Sequence, residues 1–208
     1  MTGSETTMTR AQTRTADAPR AALVAGDDGR QRCSWAAADA EYRRYHDEEW
    51  GTPQHDDVAL FESLCLEGFQ AGLSWITILK RRGHFREVFH GFDVHKVAEM
   101  AADDVERLLA DERIIRNRSK IEATIGNARA ALELDRPLGD LLWSFAPTPV
   151  RPRPESLGDL VTRTPESVAM SVELRRRGFR FVGPTTMHAL MQSCGMLDDH
   201  VTGCWRSL

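Results

Sequence analysis

A chain of 208 residues, 41% hydrophobic and 28% charged, can bury one substantial core and has the balance of an ordinary globular protein. No apolar run approaches the roughly 18 residues of a membrane span, and residues 21–25 are too short an apolar stretch for a secretory signal, so no membrane partner and a cytoplasmic location are expected. The formal net charge of -4 speaks against a polyanionic partner only if charge is spread evenly, and here it is not.

Residues 1–31 are rich in Thr, Ala, Arg and Asp without apolar periodicity, so a disordered extension is expected there and a folded domain over residues 32–208. Asp57 can cap a helix with Leu60, Phe61, Leu64 and Cys65 on its apolar face. A second helical pattern follows Glu67-Gly68, with Leu73, Ile76 and Leu79 inward. Asp93 precedes a short helix, and Asp103 or Asp104 opens another that runs through Leu108-Leu109. Ile121, Ile125, Ala128 and Leu132 make a helical stripe. Residues 146–163, with Pro147, Pro149, Pro152 and Pro154, read as an irregular connection. Thr164-Pro165-Glu166 starts a helix that Gly178 ends, and Gly183-Pro184 precedes a last helix stopped by Gly195. No segment sustains period-two alternation, so the expected fold class is all-α.

Of the four cysteines, Cys65 and Cys194 fall inside apolar helical patterns and are expected to be inert core residues. Cys33 and Cys204 lie near the ends of the expected domain, close to His46 and His200. Two thiolates and two imidazoles make a tetrahedral zinc set with no open position, which would be structural; four unrelated side chains are the other reading. Aromatic residues concentrate at Trp35, Tyr42, Tyr45, Trp50, Phe69 and Trp75, and Glu67 lies within that stretch beside Gly68. Flat rings with one carboxylate suit the recognition of an extruded nucleobase; ordinary core aromatics with an exposed Glu are the alternative.

Basic residues gather at Lys80-Arg81-Arg82 with Arg86, over residues 113–120, and at Arg175-Arg176-Arg177 with Arg180. They fit either a basic face on an acidic protein or solvated helix ends. Residues 108–125 read as helix, tight turn, helix, with Arg116, Arg118, Ser119 and Lys120 placed to hold a DNA phosphate together with backbone amides. The turn lacks glycine, so side chains would do more of the work than amides.

Six stretches, taken together and in order, resemble the DNA-3-methyladenine glycosylase I family. They are residues 32–35, 45–51, 66–75, 114–121, 178–183 and 199–204. The resemblance implies a helix-hairpin-helix glycosylase fold with one structural zinc ion on Cys33, His46, His200 and Cys204, joining the N- and C-terminal regions. It implies a base pocket at Glu67, Tyr45 and Trp75, with Trp50, Tyr42 and Trp35 nearby and Glu67 as the catalytic residue. The expected activity is hydrolytic release of 3-methyladenine from alkylated double-stranded DNA by a monomer, without strand cleavage. A non-enzymatic zinc-containing DNA-binding module is the alternative; it would need the hairpin and basic clusters but neither Glu67 nor the aromatic rings.

Overall fold

The computed structural model describes residues 21–206, and the fold they form is mainly helical. It begins earlier than residue 32. Residues Leu23–Ala25 (β1) and Gln31–Cys33 (β2) pair antiparallel, Leu23 opposite Cys33, a short hairpin that the helical expectation did not include and that lies largely within the stretch assigned to the extension. Residues 1–20 of that expected extension lie outside the described residues. The hairpin is held from the far end of the chain: the Trp205 amide donates to the Gln31 carbonyl at 2.8 Å. No helix among the described residues is long and apolar enough to cross a membrane.

After a 3-10 turn at Ser34–Ala38, helix α1 (Ala40–Glu48) is capped by Asp39, whose carboxylate accepts from the Glu41 amide. Helix α2 (Asp57–Gln70) is the central element, with Leu60, Phe61, Leu64, Leu66 and Phe69 buried. Its cap is Asp56, which accepts from the Ala59 amide. Asp57, the expected cap, sits one residue inside and accepts from the Gly139 amide at 2.7 Å instead. Helix α3 (Trp75–Leu79) is short; Leu79 is buried, but Leu73 is 41% exposed and does not join the inner face assigned to it.

Helices α4 (Arg82–Val88), α5 (Val94–Glu99) and α6 (Ala102–Ala110) follow, the last opened at Ala101, whose amide donates to Asp104. A turn over residues 111–117 leads to α7 (Arg118–Leu132), capped by Asn117. The stripe Ile121, Ile125 and Ala128 is buried as the periodicity requires, whereas Leu132 is 44% exposed. Helix α8 (Leu138–Trp143) precedes the proline-rich connection. Helix α9 (Pro165–Arg176) has Thr164 as its cap and Pro165 in its first turn, and Gly178 at φ +90° follows its end. Helix α10 (Pro184–Ser193) packs on α2 and α9.

The core runs between α2, α4, α7, α9 and α10, built on Phe61, Phe69, Phe85, Phe89 and Phe92 with Leu, Ile and Met from the other helices. Cys65 and Cys194 belong to it, both buried, with burial pushing their thiol pKa values up. A smaller cluster of Cys33, Val201 and Cys204 lies apart, where the two ends of the fold meet.

Candidate active site

Glu67 sits near the end of α2, 5% exposed, and its Oε2 has no hydrogen-bond partner among the described residues. Burial alone pushes its pKa from 4.5 to about 8. An unpaired buried carboxyl is costly, and side chains of this kind concentrate at sites that use them. Glu67 lines a cavity of about 210 Å³ walled by Trp35, Tyr42, Tyr45, Trp50 and Trp75, the five rings expected around it. Gln70, Ala189 and Gln192 complete the wall. Gln70 lies three residues after Glu67 on the same helix, a spacing that could have drawn attention to it. Nothing local marks Ala189 and Gln192, which arrive on α10 from more than a hundred residues away.

The rings are held by one another and by the backbone. Trp35 meets Tyr42 edge-on at 5.6 Å between centroids and Trp50 at 5.1 Å. Tyr42 Oη accepts from the Ile76 amide at 3.0 Å, satisfying an otherwise unpaired amide in the first turn of α3. Tyr45 is buried, and burial next to Glu67 raises its phenol pKa well above 10.0. Its ring lies 5.5 Å from that of Trp75 at 50°, a contact distance. In this arrangement the two rings adjoin as neighbouring walls, so a flat ligand would lie against them and not between them. The Trp75 Nε1 donor is also buried without a partner among the described residues.

The aromatic cluster leans on the cysteine and histidine group. Cys33 closes β2, His46 is on α1, and Cys204 follows α10; their ligand atoms all lie within 4.8 Å of one another, a group that could hold a metal ion. Both thiols are buried, and hydrogen bonding between them splits their proton affinities: the Cys204 pKa falls while that of Cys33 rises. His46 Nε2 lies 3.4 Å from Cys204 Sγ, while Nδ1 donates to Asp47 Oδ1 at 2.8 Å. His200 stands at the edge of the group. Its ring is 5.1 Å from that of His46, its Nδ1 donates to Asp198 Oδ1 at 3.0 Å, and its Nε2 is buried and unpartnered among the described residues. Each imidazole has its Nδ1 fixed by a carboxylate, as metal-bound histidines do; the Nε2 of His46 meets Cys204 Sγ, while that of His200, which stands outside the three-residue group, has no partner among the described residues. Gly51 makes room: at φ +77°, a Cβ there would lie 2.6 Å from His200 Cε1.

Asp47 ties this group to the N-terminal hairpin. Burial opposes its ionisation, but hydrogen bonds from Arg32, His46 and Trp205 outweigh it and hold the carboxyl below its usual range. Arg32 is buried and also bridges to Asp28 at 2.7 Å.

The helix–turn–helix of α6 and α7 exposes Arg116, Arg118 and Ser119 at the turn and first helical positions. Arg116 is paired with Glu112, and Arg118 with Glu106 at 2.7 Å. Such exposed pairs are weak enough to exchange for phosphate. Lys120 is placed differently from the sequence expectation. It is 8% exposed, and its Nζ donates to the carbonyls of Phe69 at 2.8 Å and Ala71 at 2.7 Å. It closes the C-terminal end of α2 and leaves no amine for DNA; burial lowers its pKa.

Residues 35–207 match the family model for methyladenine glycosylase. The chain is 50% identical over 178 residues to DNA-3-methyladenine glycosylase 1 of Escherichia coli (strain K12), covering 84% of this chain and 95% of that protein. A crystal structure of 3-methyladenine DNA glycosylase I superposes with a TM-score of 0.83 at 48% identity, over 86% of this chain and all of that one. A Tyr-to-Phe variant of 3-methyladenine DNA glycosylase I, solved in complex with 3-methyladenine, gives 0.80 at 34% identity over 84% and 96% of the two chains.

Proposed function

Because this chain belongs to the methyladenine glycosylase family, we propose that it is a monofunctional enzyme that hydrolyses the N-glycosidic bond of 3-methyladenine in alkylated double-stranded DNA. The observation that carries the reading is Glu67, a buried carboxyl with a free oxygen inside an aromatic cavity.

Methylation at N3 leaves the adenine ring cationic, so departure of the neutral free base removes a positive charge and the bond needs little push. What the protein must supply is extrusion of the nucleotide, a fitted cavity and access for water to C1′. The faces of Tyr45 and Trp75 attract the cationic ring over neutral adenine by about 0.5–2 kcal/mol each. Glu67 meets the edge of the base. Burial favours its protonated form at neutral pH, and a cationic base beside it would favour the carboxylate, so its charge would appear where the lesion's charge is. Among the described residues no amine lines the cavity, and Lys120 is committed to carbonyls, which favours water over a lysine as the nucleophile and release without strand cleavage.

One zinc ion held by Cys33, His46, His200 and Cys204 would clamp the two ends of the fold and leave no site for substrate. Arg116, Arg118 and Ser119, exposed where the α6–α7 turn enters α7, would meet the DNA backbone. The enzyme is read as a cytoplasmic monomer. The non-enzymatic alternative leaves the isolated Glu67 carboxyl without a purpose, and the named relatives are glycosylases.

The test is chromatography of bases released from methylated duplex DNA. Wild type releases 3-methyladenine, and Glu67→Gln releases it at least ~100-fold more slowly at unchanged zinc content, the scale of a positioned acid–base group. Release at the wild-type rate by Glu67→Gln would remove the assigned role.

A further inference from the structure

Gln192 stands in the last turn of α10 and lines the same cavity as Glu67. Its Nε2 donates to Asp199 Oδ2 at 2.7 Å. A carboxylate only accepts hydrogen bonds, so this contact fixes which end of the amide is which: the NH2 is committed to Asp199 and the carbonyl oxygen is the end left to face a ligand. His188 Nε2 lies 3.6 Å from the same Oδ2, beyond hydrogen-bond reach, so the Gln192 amide is the donor this oxygen holds. Ala189, one turn earlier on the same helix wall, offers no competing polar group.

We propose that Gln192 Oε1 reads the exocyclic position of the extruded base, accepting from an amino group and rejecting a carbonyl, with Asp199 as its positioning residue. This rests on the reading that the cavity takes methylated adenine. Adenine carries an amine with two N–H donors at that position, and guanine carries an oxygen. Glu67 cannot make the distinction unaided. A carboxyl group can donate as an acid to a carbonyl or accept as a carboxylate from an amine. A pinned amide oxygen has no such freedom: an amine gains a hydrogen bond there, and a carbonyl meets an unsatisfiable acceptor.

The experiment measures kcat/KM for release of 3-methyladenine and of 3-methylguanine from duplex DNA by wild type, Gln192→Met and Asp199→Asn, with zinc content followed for each. Met keeps the size and removes the acceptor; the 3-methyladenine to 3-methylguanine ratio is expected to fall about ten-fold or more. Asn at position 199 offers either a donor or an acceptor, so the Gln192 amide is free to turn over and the ratio falls by a smaller factor. A merely structural role would lower both rates together and leave the ratio in place. A ratio within about two-fold of wild type in Gln192→Met overturns the inference. Wild type that releases no 3-methyladenine would instead overturn the functional reading beneath it, so the two failures are told apart.

Discussion

Glu67→Gln should make the folded protein more stable, and by an amount set by pH. The folded-state pKa of Glu67 is about 8, against 4.5 for an ordinary glutamate. Above pH 4.5 the unfolded chain has released a proton that the folded chain still holds, so stability declines as pH rises through the window up to about 8. At about 1.4 kcal/mol per pH unit, the penalty is roughly 1 kcal/mol at pH 5 and about 3 kcal/mol at pH 7, levelling off above pH 8 at about 5 kcal/mol. Gln keeps the shape and a hydrogen-bonding edge but has no proton to lose, so it lacks this penalty. For a protein of this size about 3 kcal/mol corresponds to roughly 6–12 °C in Tm. Urea or thermal unfolding of wild type and Glu67→Gln from pH 5 to pH 8 measures the difference directly. A gain that does not grow with pH, or a variant less stable than wild type at pH 7, would refute burial as the cause of the shift.

Cys204→Ser is expected to lose zinc, measured by elemental analysis, and to lower stability on the order of several kcal/mol, because binding energy at such a clamp is folding energy. Lys120→Met strips two charge-assisted hydrogen bonds from the end of α2; a loss of roughly 2–4 kcal/mol is expected in denaturant unfolding, with the salt dependence of DNA binding unchanged. Arg116→Ala and Arg118→Ala should do the reverse, leaving stability nearly untouched while lowering the slope of log K against log salt by about 1 for each phosphate no longer neutralised.

How far the sequence carried the structure depended on whether the governing contact was local. Helix α9 is announced by its own residues: Thr164 as cap, Pro165 in the first turn, Gly178 beyond the end. The β1–β2 hairpin has no such signature. Three residues per strand are too few for alternation to register, and the hairpin is secured by Trp205 from the other end of the chain. Lys120 sits in a run of basic residues, which suggests exposure; its position on α7, on the same face as Ile121 and Thr124, turns it toward α2. In the cavity, Glu67 and the five rings were legible because they crowd one stretch of chain around small residues. Gln192 and Ala189 were not, since what makes them wall residues is the packing of α10 on α2.

The same geometry couples the cavity to the chain ends. Trp50 touches His200 at 4.6 Å between centroids and Trp35 touches His46 at 5.2 Å, so two walls of the cavity rest on imidazoles of the cysteine–histidine group. Releasing that group frees the rings and should lower base release along with stability. Replacing the Glu67 carboxyl with an amide should lower base release while raising stability. The two lesions move activity together and stability in opposite directions, which a catalytic site built apart from its clamp would also show for Glu67 but not for Cys204: there, activity would survive until the protein unfolded. Base release by Cys204→Ser, measured at a temperature where the variant remains folded, thus distinguishes a clamp that merely closes the chain from one that also shapes the cavity, and the contacts of Trp35 and Trp50 favour the second.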